Sequence, residues 1–432
     1  MDSLTNSQEN KCLEAFIPRG LIGSAREVFG ASVTAEGLCP VRIGWTGELI
    51  TSIETIPAES ASDLKLLLPR LIEPHAHIDK AFTWGEAPNL KGGYQNALQA
   101  NLGELKNRTI ESVYARAERA LKLSLKNGVR AVRSHVDSFG LVADQTWDVL
   151  LTLRDEWKSL IELQLVALVP LEYWGTKQGN SLAIRVAKAG GLLGGVLVPP
   201  LHQRASRDSL LKMVAMANDL GCGIDLHIDE SGIQPAEGLK QLIHVLDQME
   251  IHVPITCSHL SSMGLLSSGK LSRFADCLAH HRVSVIALPL TNFWLLGRQS
   301  TRTPVKRPIA PIVQLQQAGV TVAVGGDNVQ DPWFPAGNFD PVSLMSMTMP
   351  LAQLAPWQRL GLAPFTTAAS ALMELEWNGI IEVGSPADFV LLDASSWSEA
   401  LASSPRRRVM AKGDWVDEKL FISQNSKLQF DR

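Results

Sequence analysis

Short apolar runs alternate with segments of helical periodicity from about residue 65 to about residue 375, and this pattern limits the fold more than any other feature. Between the first two runs, Thr109 to Asn127 carries apolar residues at the spacing of one helix face, with residues suited to cap both ends. Eight runs follow one another: LLLPRLIEPHAH, VRAVRSHVD, LQLVALVP, GGVLVPP, CGIDLHIDE, VPITCSHL, VSVIALPL and VTVAVGGDN. The alternation predicts an α/β fold with parallel strands, the (β/α)8 TIM barrel.

Both ends of the chain have a different character, with short strand-like runs separated by turn residues. CPVRIGW and LITSIETI occur near the start, and Gly384-Ser385-Pro386 and Lys412-Gly413-Asp414 interrupt apolar runs near the end. Neither end is large enough to fold alone, so we expect one small β-sandwich domain built from both termini. The predicted limits are residues 1–66 and 379–432 for this domain and residues 67–378 for the barrel.

Composition narrows the class of protein. The 432 residues are 45% hydrophobic and 19% charged, which is typical of a folded chain with a large core. The formal net charge of −4 gives no reason to expect nucleic acid or an anionic membrane as a partner. Five scattered cysteines, no signal peptide and no long apolar span favour a cytoplasmic protein with reduced thiols. We expect a small-molecule partner, and association into a homo-oligomer stays open.

Polar residues stand at the carboxyl ends of the predicted strands. His75 and His77 are one residue apart at the end of an apolar run, so in a strand both side chains would point to the same face. In a TIM barrel these strand ends build the active site. The residues with this placement are His75, His77, His135, His227, His259 and Asp327.

Three imidazoles and one carboxylate in this group suit a divalent metal ion. A lone strand histidine is more often a hydrogen-bonded core residue, but His75, His77, His227 and Asp327 occupy matching strand ends. They suit one Fe²⁺ or Zn²⁺ ion, which would lower the pKa of a water to about 7 and so provide a nucleophile. The fourth run, GGVLVPP, offers no lysine or acid to bridge a second ion, so we expect a mononuclear site.

Other polar residues near these strand ends allow two interpretations each. Glu230 could transfer protons to a substrate, or Asp229 and Glu230 could form an ordinary acidic turn. His259 could orient a water, or it could be structural. His135 fits a supporting network at least as well as catalysis. Lys80 could meet the substrate or only pair with an acid.

Several motifs resemble those of a known family. EPHAHID, VRSHVD, DLHIDE, SHLSSM, LPLTNFWLLGR and GGDNVQDPWFPAGN occur in the order and spacing of the amidohydrolase superfamily, from about residue 15 to the end. The chain resembles the cytosine deaminase branch in particular, and it is also similar to the N-isopropylammelide hydrolases.

The resemblance implies a role for each matching residue. His75, His77, His227 and Asp327 match the metal ligands. Glu230 matches the acid that carries a proton to the ring nitrogen, and His259 matches the histidine that positions the water. Asp327 also matches the base that passes a proton to the leaving amine. Substrate contacts are expected from Glu172, Asn328 and Trp333.

Two departures from the family pattern affect the choice of substrate. Bacterial cytosine deaminases carry a glutamine after the third strand, where this chain has Leu171 and Glu172, and Asn328 replaces an acid that often follows the metal aspartate. The resemblance implies a hydrolytic deaminase of an amino-substituted N-heterocycle and favours cytosine, with uracil and ammonia as products. The alternatives are isocytosine, a pterin, creatinine or an aminotriazine as substrate, or hydrolysis of a cyclic amide or an N-alkylamino group.

Overall fold

The computed structural model describes residues 10–23, 33–61, 63–299 and 301–421. Residues 1–9 and 422–432, which the predicted limits of the terminal domain include, lie outside the described residues. The strands in chain order are β1 (Lys11–Pro18), β2 (Leu38–Thr46), β3 (Leu49–Thr55), β4 (Leu66–Pro69), β5 (Leu71–Ala76), β6 (Val129–Asp137), β7 (Glu162–Leu168), β8 (Leu192–Leu197), β9 (Ile224–Ile228), β10 (Ile255–His259), β11 (Ser284–Ala287), β12 (Val322–Val324), β13 (Phe389–Leu392), β14 (Arg407–Ala411) and β15 (Asp414–Trp415).

Helices connect these strands. They are α1 (Tyr94–Asn107), α2 (Ile110–Lys126), α3 (Ala143–Trp157), α4 (Lys177–Lys188), α5 (Gln203–Leu220), α6 (Glu237–Leu246), α7 (Ser268–His280), α8 (Pro289–Leu295), α9 (Ile312–Gln317), α10 (Pro341–Ala352), α11 (Arg359–Leu362), α12 (Thr367–Leu372) and α13 (Trp397–Ser403). In the part of the chain that the structure describes, no helix is both long and apolar enough to cross a lipid bilayer.

The predicted TIM barrel is confirmed. Strands β5 to β12 form one eight-stranded sheet in sequential order, and each strand pairs in parallel with its neighbour. The sheet closes where the backbone N–H of Asp327 donates to the carbonyl oxygen of His75 at 3.0 Å. All the strands therefore present their carboxyl ends at one mouth, which is where the predicted site residues lie.

Helix α2 shows how the sequence builds the outer layer. Thr109 caps it, because its hydroxyl accepts from the backbone N–H of Ser112 at 3.2 Å. Its apolar stripe includes Leu121 and Leu125, which are fully buried against the rest of the barrel. Burying each of these two side chains stabilises the fold by about 1.5–3 kcal/mol. The helix predicted from Thr109 to Asn127 is therefore present, with both flanking residues as caps.

The second sheet joins the two ends of the chain, as predicted. Its seven strands run in the order β15-β14-β13-β4-β1-β2-β3. The sheet curls on itself, since Trp45 of β2 and Phe389 of β13 lie on non-neighbouring strands yet have ring centroids 6.5 Å apart. The Trp45 indole N–H also donates to the carbonyl oxygen of Gly413 at 2.9 Å. This curled sheet encloses an apolar core of its own beside the barrel.

Candidate active site

The structure brings the four predicted metal ligands together at the mouth of the barrel. His77 Nε2 lies 3.3 Å from Asp327 Oδ1, and His75 Nε2 lies 3.6 Å from the same oxygen. His227, on the far side of the barrel, reaches His77 with 3.4 Å between the two Nε2 atoms. All four side chains are buried. Residues from the first, fifth and eighth barrel strands thus converge on a volume suited to a single ion.

The chemistry of these donors fits a divalent cation. His75 Nε2 and both carboxylate oxygens of Asp327 are buried and find no hydrogen-bond partner among the described residues. Buried polar atoms normally have partners, so such a cluster indicates a missing ligand. Burial, reinforced by neighbouring imidazoles or Lys80, lowers the pKa of His75, His77 and His227 well below its ordinary value. The imidazoles are therefore neutral, which is the form that binds metal.

A relay of hydrogen bonds fixes the ring of His75. The Ser258 hydroxyl donates to Asp225 Oδ1 at 2.7 Å, so it accepts from His75 Nδ1 at 2.9 Å. The proton therefore sits on Nδ1, and Nε2 is free to bind an ion. Arg133 Nη1 donates to Asp225 Oδ2 at 3.0 Å. Burial alone would raise the pKa of Asp225, but His135 and Arg133 lower it and keep it ionised.

Replacing Asp225 by Asn, or Ser258 by Ala, is expected to lower metal affinity about 10–100-fold, because either change frees the orientation of His75. Competition with a chromogenic chelator measures this affinity. Thr152→Ala is a control, since its exposed hydroxyl bonds only within α3. Unchanged affinity in both variants would show that the relay does not act on the metal ligand.

Glu230 and Asp229 have separate environments, which resolves the alternative of an acidic turn. Asp229 points to the start of α6, where its carboxylate accepts from the backbone N–H groups of Gly238 and Leu239, each at 2.8 Å. Glu230 is buried at the barrel mouth, with Oε1 3.5 Å from His259 Nδ1. Burial, with a further contribution from Asp327, raises the pKa of Glu230 well above its ordinary value. This shift favours the protonated form of Glu230, which can deliver a proton.

Asn292 links Glu230 to His259. Its Nδ2 donates to Glu230 Oε1 at 3.3 Å and lies 3.1 Å from His259 Nδ1. Burial lowers the pKa of His259 to about 4, so this imidazole is neutral. Because Nδ1 accepts from the amide, the ring proton is on Nε2, which is available as a donor. The sequence analysis missed Asn292, although it lies inside the quoted motif LPLTNFWLLGR.

Glu73 is a second residue that the sequence analysis missed. Its carboxylate accepts from the backbone N–H groups of His75 at 3.2 Å and of Gly326 at 3.0 Å, so it joins the two strand ends that carry His75 and Asp327. A Cβ at Gly326 would lie 2.8 Å from Glu73 Oε2, which explains a glycine there. Burial raises the pKa of Glu73 to about 8. Glu73, two residues before the HxH motif, thus links the first barrel strand to the segment that carries Asp327.

His135 lies directly behind the ligand cluster. It stacks on His75 with 3.9 Å between ring centroids and 28° between ring planes. Its Nε2 is 3.6 Å from Asp225 Oδ2. The side chain is fully buried and shares Asp225 with Arg133, which agrees with the supporting network considered for this face.

A cavity of about 310 Å³ opens above the cluster, a size typical of small-molecule sites. The three predicted substrate contacts, Glu172, Asn328 and Trp333, all line it. Asp331 orients two of them, since it accepts from Asn328 Nδ2 at 2.8 Å and from the backbone N–H of Trp333 at 2.9 Å. The apolar part of its lining, named the apolar wall, consists of Leu98, Leu102, Phe139, Leu168, Val169, Pro170, Leu171 and Val196.

Lys80 lines the same cavity and also pairs with an acid. Its ammonium lies 3.1 Å from Asp137 Oδ1. Arg108, which follows α1, holds Asp137 and Asp79 at 3.2 and 3.0 Å. Glu104 accepts from the same guanidinium at 2.6 Å. This buried charge cluster attaches α1 to the mouth of the barrel.

Comparison with known proteins agrees with this geometry. The model of the family described as Amidohydrolase family matches residues 92–420. The chain belongs to the amidohydrolase family. Pterin deaminase of Rhizobium rhizogenes is 31% identical over 396 residues, which cover 90% of each chain. The N-isopropylammelide isopropyl amidohydrolase of a Pseudomonas species is 25% identical, and the match covers 86% of this chain and 91% of that one.

Solved structures give the same result for the fold. A 5-methylcytosine deaminase of Klebsiella pneumoniae, solved with phosphonocytosine, superposes with a TM-score of 0.77. The two chains are 23% identical, and the superposition covers 88% of this amidohydrolase and 95% of the other protein. The resemblance found in the motifs is confirmed. The protein is thus an enzyme of a family that hydrolyses carbon–nitrogen bonds.

Proposed function

We propose that this amidohydrolase is a metal-dependent hydrolytic deaminase of an amino-substituted N-heterocycle. The observation that carries the proposal is the pairing of Glu230 and His259 beside the ligand cluster, inside one cavity. His75, His77, His227 and Asp327 would hold one divalent ion, Fe²⁺ or Zn²⁺, which supplies a water nucleophile at neutral pH. The deaminases among its relatives support the reaction class.

The side chains divide the proton transfers between them. Glu230 gives its proton to the ring nitrogen beside the carbon that bears the amine, which makes that carbon more electrophilic. The N–H at His259 Nε2 donates to the oxygen that adds there and stabilises its charge. Asp327 takes a proton from the attacking water and passes it to the amine. The carbon–nitrogen bond then breaks and ammonia leaves. The proton that remains on the added hydroxyl returns to Glu230, so the ring oxo group forms, the acid is restored, and one water is consumed for each ammonia released.

The cavity favours a pterin over cytosine as the substrate. Leu171 lies in the stretch where cytosine deaminases have a glutamine, and its side chain offers no hydrogen bond to a pyrimidine edge. Glu172 is the polar residue of that stretch in the cavity lining. A two-ring substrate can cover the apolar wall, and it matches the activity named for the relative that is 31% identical. Cytosine, which the motifs favour, is the second candidate.

Ammonia release by the metal-loaded enzyme tests the proposal. The panel contains pterin, cytosine, isocytosine, creatinine and an aminotriazine, and metal-free protein serves as the blank. Ammonia from pterin with little from cytosine would support a two-ring substrate. Ammonia from cytosine would mean that Leu171 and Asn328 are compatible with a pyrimidine. If the metal-loaded enzyme released no ammonia from any compound of the panel, the proposed deaminase activity would be contradicted.

Hydrolysis of an N-alkylamino group is the second candidate function. The apolar wall, which includes Leu98, Leu102 and Phe139, could hold an alkyl chain on the leaving amine. A relative that is 25% identical is named for this reaction. The same side chains would act, but an alkylamine would leave in place of ammonia. Mass spectrometry of the products from N-alkylated aminotriazines separates the two reactions.

A further inference from the structure

The polar side of the cavity contains a buried hydrogen-bond donor that the deamination steps do not use. Lys80 lines the cavity and is 3% exposed. Its Nζ donates to Asp137 Oδ1 at 3.1 Å, and an ammonium carries three N–H groups, so further donors remain. These remaining N–H groups are available to a bound molecule.

Asn101 is a buried residue that shares the carboxylate of Asp137 with Lys80. Asn101 of α1 also lines the cavity and is 4% exposed. Its amide nitrogen lies 3.4 Å from Asp137 Oδ2, and this assignment is fixed because a carboxylate only accepts. The amide oxygen must then face away from Asp137, and it has no hydrogen-bond partner among the residues described. An acceptor this deeply buried normally has a partner, so the site lacks a donor.

The charge around this pair indicates what kind of group binds there. Lys80 and Arg108 are balanced by Asp79 and Asp137, and Arg116 is balanced by Glu104 at 2.7 Å. Asp331, a further buried acid, also interacts electrostatically with Lys80. The buried cluster therefore has no uncompensated positive charge. A carboxylate or phosphate would bring an uncompensated charge into it, which is costly in a buried site. A neutral group that accepts from Lys80 and donates to Asn101 fits better.

We propose that Lys80 and Asn101 recognise a lactam edge of the substrate, that is, a ring carbonyl next to a ring N–H. The carbonyl oxygen accepts from Lys80, and the neighbouring N–H donates to Asn101 Oδ1. Both side chains hold the same carboxylate of Asp137, which fixes them side by side. Leu171 offers no side-chain hydrogen bond, so the polar lining residues, this pair among them, determine which edge of the ring is read. The inference rests on the proposed function and narrows it to amino heterocycles that carry a ring oxo group.

Matched compounds with and without the oxo group test the proposal. Pterin is compared with 2-aminopteridine, and cytosine with 4-aminopyrimidine, since each pair keeps the amine and differs in the lactam. The ratio of kcat/KM for the two compounds is measured in the wild type and in Asn101→Leu and Lys80→Met. Where turnover of the oxo-free compound is too slow, its inhibition constant replaces kcat/KM. We expect the preference for the lactam to fall on the order of 10²-fold or more in each variant.

Gln99→Leu is the matched control, because Gln99 is an exposed amide on the same helix as Asn101. It should keep the preference of the wild type. Asn101→Leu conserves side-chain size, so it keeps the test valid if Lys80→Met fails to fold. Metal content and melting temperature are measured for every variant.

An equal loss for both compounds of a pair, or an unchanged preference, would overturn the lactam assignment. The proposed function would fail in a different way: the wild type would then release no ammonia from any compound. In that case calorimetry with pterin and 2-aminopteridine still tests recognition. Tighter binding of pterin that is lost in Asn101→Leu would support the pair, and equal affinities would refute it.

Discussion

Chelation of the metal is expected to abolish ammonia release, and adding back Zn²⁺ or Fe²⁺ should restore it. The buried atoms of His75 and Asp327 that have no partner in the described structure are left unsatisfied without a cation. Removal of the ion should therefore also destabilise the fold. At a free-ion concentration of about 1,000 times Kd, binding stabilises the native state by about 4 kcal/mol. Differential scanning calorimetry of the stripped and reloaded protein measures this effect beside the activity.

A pair of histidine variants separates metal loss from general damage. His77→Gln should bind less metal and lose turnover, since His77 Nε2 faces Asp327 Oδ1. His252→Gln alters an exposed histidine in the turn before β10 and should change neither. Elemental analysis of the purified protein identifies Fe²⁺ or Zn²⁺ as the resident ion. Full turnover by protein shown to hold no metal would contradict the proposed site.

The barrel and its ligand cluster could be predicted because their signals are local. Each strand is a short apolar run, and the barrel places every strand end at one mouth, so the order of the runs alone brings His75, His227 and Asp327 together. The His75-Ala76-His77 spacing needed only the two-residue period of a strand. No long-range pairing had to be known in advance.

The supporting residues could not be predicted because their contacts depend on register across the barrel. Ser258 contacts His75 although 183 positions separate them. It is the first residue of the motif SHLSSM, but the motif does not show which side chain it contacts. Helix α1 lies between β5 and α2 and has only a weak apolar pattern, so Asn101 gave no signal as a cavity residue. Asp229 and Glu230 are adjacent acids, and only the position of α6 shows that Asp229 is the one that accepts hydrogen bonds from a helix start.

Glu230→Gln is expected to lower kcat by about 10²–10⁴-fold while metal content and melting temperature stay close to those of the wild type. The amide has nearly the same size and can still contact Asn292, but it cannot deliver a proton to the ring nitrogen. Burial raises the pKa of this carboxyl well above its ordinary value, which favours the protonated form that the step requires. Steady-state ammonia release gives kcat, and metal analysis confirms that the ligand cluster is intact.

Asp229 provides a control, because its replacement should change stability and leave turnover nearly unchanged. Asp229→Asn weakens two hydrogen bonds to the start of α6 and should cost about 0.5–2 kcal/mol of stability, as the loss of a helix cap does. Its turnover should stay within a few-fold of the wild type, because Asp229 points away from the cavity. Two adjacent acids would then separate catalysis from stability. If Glu230→Gln kept full turnover, or if Asp229→Asn abolished it with a stable fold, the assignment of the proton carrier to Glu230 would be wrong.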